Sequence, residues 1–256
     1  MQKILAEKLW AVAAPVLVSK KSHVGRPEYD NKKTFFGLLY ILENGVKWKC
    51  LPAEYGKIST IHGKYKRWVR LGFIKQIFQI ARERYLLSTD AFKNWHAVDT
   101  SSSKAQFARF SGKSPVDRSK RGIKKNIVVD SRGAPVIATI EPANKHDSKT
   151  LPSILRQLSK IRQVDNSILA ADSAYDTVKL KKLARQNKII LHASTHRRRN
   201  KKNNVPLVRP RGRWIVERTH SWMNNFRSVK TCYSKSKRLF LGFVQLASAI
   251  VLIRMT

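Results

Sequence analysis

Near residue 95 the apolar pattern of this 256-residue chain changes period, and that change constrains its fold more than any other feature. Upstream, Trp10, Phe35, Phe36, Leu38, Leu39, Ile41 and Leu42 recur at helical spacing. A second helical stretch carries Tyr65, Trp68, Val69, Leu71, Phe73, Ile74, Ile77 and Phe78, interleaved with Lys64, Lys66, Arg67, Arg70 and Lys75. Gly25-Arg26-Pro27 and the segment from Gly45 to Pro52 punctuate these helices. Downstream the signals are those of short strands. His96 to Asp99 reads as a strand entering a Ser-rich loop, Thr100 to Lys104, and Asn126 to Asp130 with Ala134 to Ile140 reads as a hairpin turning at Ser131-Arg132-Gly133. A helix capped by Asp147 or Ser148 extends to about Arg162. A strand, Ser167 to Ala171, then precedes a helix from about Thr177 to Gln186 and a strand, Ile189 to His192. A basic linker, His196 to Arg213, leads to a last pair of helices.

This succession is the one expected of an α/β, ribonuclease-H-like domain, a mixed sheet with flanking helices, over residues 91–256. An all-helical N-terminal domain, residues 1–90, precedes it, and its basic helices suit a helix-turn-helix DNA reader or a solvated surface equally. The apolar run Leu239 to Ile253, interrupted by Gln245, is shorter than the roughly 20 residues that span a bilayer and reads as a buried C-terminal helix. Charges at Lys3, Glu7 and Lys8 break any export-type apolar stretch, so a cytoplasmic, nucleoid-associated protein without a membrane partner is expected.

Charge selects the partner. With 52 Lys and Arg against 16 Asp and Glu, the formal charge is +36, while a hydrophobic fraction of 42% is ordinary for a globular chain. The abundant cellular polyanion is nucleic acid, whose phosphates release counterions as Lys and Arg bind. Cys50 and Cys232 are too few for a disulfide framework or a four-thiolate zinc site. No Gly-rich phosphate loop of Walker type occurs, which argues against nucleotide hydrolysis.

In so positive a chain each acid needs a reason. Glu217 is the sole acid from Thr177 to Thr256 and lies early in a helix, in a polar stripe with Arg213, His220 and Asn224 beside an apolar stripe of Ile215, Trp222, Phe226 and Val229. Asp99 and Asp172 each follow an expected strand. In a ribonuclease-H-like sheet those strands are adjacent and parallel, so both carboxylates and Glu217 can share one point. Clustered carboxylates repel one another unless a cation neutralises them, and hard oxygen donors suit Mg²⁺ or Mn²⁺. Two such ions can support in-line displacement at a phosphodiester. Asp130, Asp147 and Asp176 sit where turns and caps use an Asp side chain and are read as structural. Trp214 and Trp222 read as packing residues, and His192 with His196 lacks the Cys or acidic neighbours of a zinc site.

Several motifs occur in order. The stretch Asp117-Arg118-Ser119-Lys120-Arg121-Gly122 through Asn126-Ile127-Val128-Val129-Asp130, Gly133-Ala134-Pro135 and Pro142-Ala143-Asn144-Lys145-His146-Asp147 resembles the catalytic domain of bacterial insertion-sequence transposases, the family-five group with a DDE core. Ala171-Asp172-Ser173-Ala174-Tyr175-Asp176 looks like that group's second-aspartate motif, and Arg213-Trp214-Ile215-Val216-Glu217-Arg218-Thr219-His220-Ser221-Trp222 looks like its glutamate motif. Phe36-Gly37-Leu38-Leu39-Tyr40, Gly45-Val46-Lys47-Trp48 and Leu51-Pro52 resemble the helical domain before the core.

The resemblance implies that Asp99, Asp172 and Glu217 form a catalytic, metal-binding triad for two Mg²⁺ or Mn²⁺ ions. It also implies cleavage at terminal inverted repeats and strand transfer into target double-stranded DNA by a homodimer or higher oligomer. The alternative is a catalytically silent DNA-binding derivative. Related signatures place a Tyr three residues before the Arg and a Lys seven after the Glu, and here those places hold Pro210 and Asn224. Two basic tracks are expected on DNA phosphates: Arg118, Lys120, Arg121, Lys124 and Lys125, and the linker residues Arg197, Arg198, Arg199, Lys201 and Lys202 with Arg213.

Overall fold

The computed structural model describes residues 3–17, 29–89, 94–161, 166–195 and 212–256. Helices α1 (Lys3–Leu17), α2 (Asn31–Asn44), α3 (Ile58–Arg70) and α4 (Phe73–Ser88) come first. Strands β1 (Trp95–Lys104), β2 (Gly112–Lys113), β3 (Arg121–Asp130) and β4 (Pro135–Pro142) follow. Then come α5 (Leu151–Leu158), β5 (Ser167–Ala171), α6 (Val178–Gln186) and β6 (Ile189–Ala193). The chain ends with α7 (Trp214–Asn224), the single turn α8 (Arg227–Lys230) and α9 (Lys237–Met255).

β1 is central. It runs antiparallel to β3 and parallel to β5, β5 is parallel to β6, and β4 with the short β2 pairs with β3. This mixed sheet flanked by helices is the ribonuclease-H-like arrangement expected from the order of elements. Its strands are apolar on both faces because both are covered. Val98, Val128, Val136 and Ile137 pack with Ile154 and Leu158 of α5 and Leu180 and Ala184 of α6. On the opposite face Ala97, Ile127, Val129 and Ala170 join a larger cluster with Phe240, Val244 and Ile250 of α9 and with Leu9, Phe35, Ile61, Ile77 and Tyr85 from the first four helices.

α9 explains why that cluster is continuous. Twelve of its 19 residues are buried, so an almost uninterrupted apolar sequence is satisfied by neighbours all round it. By length and composition alone it is long and apolar enough to cross a membrane, yet it lies inside this core. A hydrogen bond from the Tyr65 hydroxyl to the Leu239 carbonyl, 2.6 Å, fixes α3 against its first turn.

Three local expectations change. The Ser-rich segment is strand, because Thr100 to Lys104 continues the β1 ladder against Asn126 to Gly122 of β3. The second helical stretch is broken into α3 and α4 at Gly72, which takes a φ of 80°. The helix expected from Asp147 begins only at Leu151, since residues Asp147–Lys149 close a tighter turn in which the Ser148 amide donates to the His146 ring.

Candidate active site

Strand register brings two of the expected acids together. Ala97 of β1 lies opposite Ala170 of β5, so Asp99 and Asp172, each two residues on, leave the parallel pair at the same level and toward the same face. Asp99 lies within β1 rather than after it, whereas Asp172 follows β5 and accepts the Ser173 amide at 2.7 Å.

α7 lies over that face. Its buried residues are Val216, Thr219, His220 and Met223, a stripe rotated from the expected Ile215 and Trp222. Polar groups on the stripe make the rotation tolerable. The Thr219 hydroxyl donates to the Gly133 carbonyl at 2.7 Å, and Arg218 donates to the Arg132 carbonyl at 2.6 Å. Both bonds tie α7 to the turn between β3 and β4. Gly133 has a φ of 91°, and a Cβ there would stand 3.0 Å from both Arg218 Nη2 and Thr219 Oγ1. Only glycine fits without displacing the helix.

Glu217 therefore projects from the outer side of α7 toward Arg213. One Arg213 guanidinium joins two of the acids: Nη2 is 3.1 Å from Glu217 Oε1, and Nη1 is 3.4 Å from Asp99 Oδ1. Asp99 has its carboxyl pushed up to about 6, first by burial and further by the charges of Glu217 and Asp172, against the Thr100 amide and Arg213. Beneath it His220 Nε2 lies 3.9 Å from Asp99 Oδ2. Burial and then the charge of Lys125 push this imidazole down to about 4, so it is neutral at neutral pH.

The donor chemistry suits a hard divalent cation, with three carboxylates in electrostatic contact and the most buried of them reluctant to ionise. Among the described residues, however, no three acidic, His or Cys side chains converge tightly enough to hold one ion. In this arrangement Arg213 supplies the positive charge between Asp99 and Glu217.

The first basic track divides. Arg118 and Lys120 are exposed, and Arg121, also exposed, is held by Ser111 through Nε at 2.9 Å. Lys124 and Lys125 lie on a strand, so consecutive side chains go to opposite faces. Lys124 pairs with Asp147 at 2.8 Å and is largely buried. Lys125 is 1% exposed and donates to Asn224 Oδ1 at 2.9 Å and the Val229 carbonyl at 3.2 Å, so its reading as a phosphate contact is corrected. Arg197, Arg198, Arg199, Lys201 and Lys202 lie outside the described residues. Asp130 accepts turn amides and the Tyr85 hydroxyl, and Asp176 pairs with Lys181, as structural acids do. Trp214 is 59% exposed, with Arg218 stacked between it and Trp222 at 5.1 and 4.7 Å. The Lys125 to Asn224 bond and the place of His220 beneath Asp99 have no signal in local sequence.

The family pattern described as "Transposase DDE domain" matches residues 90–252, well over half of the chain. The chain belongs to the DDE transposases. A second pattern, "Putative transposase of IS4/5 family", matches residues 5–78 of the transposase. It is 26% identical over 146 residues to a putative transposase for insertion sequence element IS402 of Burkholderia cepacia, covering 55% of this chain and 67% of that protein. A 16.2 kDa protein of the same element from Burkholderia cepacia is 27% identical over 108 residues, covering 40% of this chain and 74% of that one. Among solved structures, a piggyBac transposase synaptic complex with hairpin DNA aligns at a TM-score of 0.46 and 11% identity, over 99% of this chain and 72% of that one. A Mos1 transposase paired-end complex with left transposon end aligns at a TM-score of 0.31 and 11% identity, over 89% and 78%.

Proposed function

We propose that the transposase hydrolyses phosphodiesters at the ends of its own element and transfers the freed 3′-hydroxyl strand into target double-stranded DNA. Asp99, Asp172 and Glu217 are its catalytic side chains and would hold Mg²⁺ or Mn²⁺, two ions per site. Bound divalent ions supply Lewis-acid activation of the attacking oxygen and charge stabilisation at the leaving oxygen. The observation that supports this reading is the level emergence of Asp99 and Asp172 from adjacent parallel strands, with the carboxylate of α7 close enough to raise the proton affinity of Asp99.

The remaining roles belong to the chain. His220, neutral and buried, packs behind Asp99 without cancelling its charge. Arg213 sits where it can exchange the two carboxylates for a DNA phosphate, and Arg118, Lys120 and Arg121 present exposed charge for the backbone. The linker bases Arg197 to Arg199, Lys201 and Lys202 are assigned the same task. A homodimer or higher oligomer brings the two element ends together, and the site of action is the cytoplasm, on the nucleoid. Residues 1–90 serve DNA binding and 91–256 the chemistry.

The test is incubation of labelled end DNA with Mg²⁺, scoring binding, cleavage and joining. Asp99→Asn, Asp172→Asn and Glu217→Gln are each expected to abolish cleavage with duplex binding retained. Full cleavage by any one of them removes that residue from the assignment.

A further inference from the structure

We infer that the outer face of α3 is a double-stranded DNA reading surface, a helix face that lies in the major groove. The inference rests on the reading that the chain binds duplex ends, and it adds the element that does so. α3 contains Lys64, Lys66, Arg67 and Arg70 and no acid, and is the most basic of the four N-terminal helices.

Its two sides are chemically separate. Ile61, Tyr65 and Trp68 are buried and face inward. At about 100° per residue, Ser59, Gly63, Lys66, Arg67 and Arg70 fall on the opposite side, and all five are exposed. Lys64 lies outside this set: it turns toward Asn31 Oδ1 at 2.5 Å and the Tyr29 carbonyl. Within the face Ser59, Gly63 and Arg70 form the centre line, and Lys66 and Arg67 flank it. Among the described residues no carboxylate pairs with Lys66, Arg67 or Arg70.

Gly63 is the informative residue. A glycine in mid-helix costs about 0.5–1 kcal/mol relative to alanine, and the usual structural reason is a close neighbour. Here a Cβ would meet nothing within 4 Å, so no contact among the described residues requires its absence. A missing side chain at the centre of a basic, outward helix face instead allows close approach by something external. A helix about 10–12 Å across fits a major groove about 12 Å wide, with flanking cations against the two phosphate strands and the centre line against base edges. Lys66 and Arg67 therefore contact phosphates, and Ser59 and Arg70 face bases.

The face is also held still. Tyr65 bonds to the Leu239 carbonyl and stacks on Phe243 with centroids 4.8 Å apart, and the His62 ring packs against Trp48 at 4.5 Å. α3 cannot roll without breaking these inward contacts, so the outward set is presented in one orientation, the condition for reading sequence rather than merely attracting phosphate.

The experiment uses the full chain in EDTA, which suspends cleavage. Wild type selects a preferred duplex from a randomised pool, and affinities are then measured for that duplex and a scrambled one. Gly63→Leu is expected to keep the melting temperature of the wild type and lose roughly tenfold or more in affinity for the selected duplex. Arg70→Ala should narrow the ratio of selected to scrambled affinity, and Lys66→Ala or Arg67→Ala should weaken both duplexes equally and lower the salt slope by about one. Wild-type affinity in Gly63→Leu overturns the inference and leaves α3 a solvated face, as does an unchanged ratio in Arg70→Ala. Because binding in EDTA does not use the carboxylates, this test can fail while the Asp99→Asn cleavage test succeeds, and the reverse.

Discussion

Arg213 reaches Asp99 across 114 residues of chain, its Nη1 3.4 Å from Asp99 Oδ1. The same guanidinium holds Glu217, so two of the three acids of the proposed metal site are linked by a protein cation. Replacing it changes two measurements in opposite directions. In Arg213→Ala the carboxylates lose a competitor for divalent cations, and Mg²⁺ affinity without DNA should rise on the order of fivefold, equivalent to about 1 kcal/mol for a partly exposed pair. Cleavage of end DNA should fall, because the phosphate contact proposed for Arg213 is lost. Titration calorimetry and a cleavage assay check the two halves, and reduced Mg²⁺ affinity in the variant would show that Arg213 organises the acids rather than occupying them.

The carboxyl of Asp99 predicts a pH dependence in the absence of metal. Its folded pKa of about 6 lies above the ordinary aspartate value of 3.8, so between those values the folded chain binds more protons than the unfolded one. Its contribution to stability is thus fully present below about 4 and declines as pH rises through about 6. Asp99→Asn cannot ionise and should lose that part of the decline. Urea unfolding in EDTA across this range tests it, and identical profiles for the two chains would contradict the buried environment of Asp99.

Much of this was readable in the residues, and the exceptions share a cause. The β5 span Ser167–Ala171 and the position of Asp172 after it follow from a short apolar run that needs no distant partner to define it. Thr100 to Lys104 is different: serines are weak strand formers, and the segment is extended because β3, some 20 residues later, supplies its ladder. Lys124 and Lys125 look equivalent as consecutive bases, but pleating separates them, and the Lys125 partner Asn224 is 99 residues away. Glu217 stands out in the sequence by its isolation among bases, and its pairing with Arg213 at i, i+4 follows from helical spacing. That α7 buries His220 rather than Trp222 depends on the Gly133 and Arg132 carbonyls, which no helical periodicity contains.

The join between α4 and the sheet can be weighed by one atom. Tyr85 donates its hydroxyl to Asp130 Oδ2 at 2.8 Å, both residues being fully buried, while Oδ1 accepts the Arg132 and Ala134 amides. Tyr85→Phe keeps the ring and strands one carboxylate oxygen. A loss of about 1.5–3 kcal/mol is expected for a buried hydrogen bond to a charged group. Denaturant unfolding measures it, and a change below about 0.5 kcal/mol, the scale of a neutral surface substitution, would mean the bond carries no weight.

Gly133 offers the test that connects backbone conformation to chemistry. Alanine there must adopt a φ of 91° and bring its Cβ to 3.0 Å from the Arg218 and Thr219 atoms that hold α7. Strain of this kind costs about 1–3 kcal/mol, and part of it can be relieved by shifting α7 away from the turn. That shift carries Glu217 with it. Gly133→Ala should therefore lower both the unfolding free energy and the rate of Mg²⁺-dependent cleavage, whereas Tyr85→Phe, which leaves α7 anchored, should lower stability with little change in cleavage by the folded fraction. Comparing cleavage rates of the two variants well below their melting temperatures separates the effects. Equal rates would show that the turn supports the fold without setting the position of Glu217.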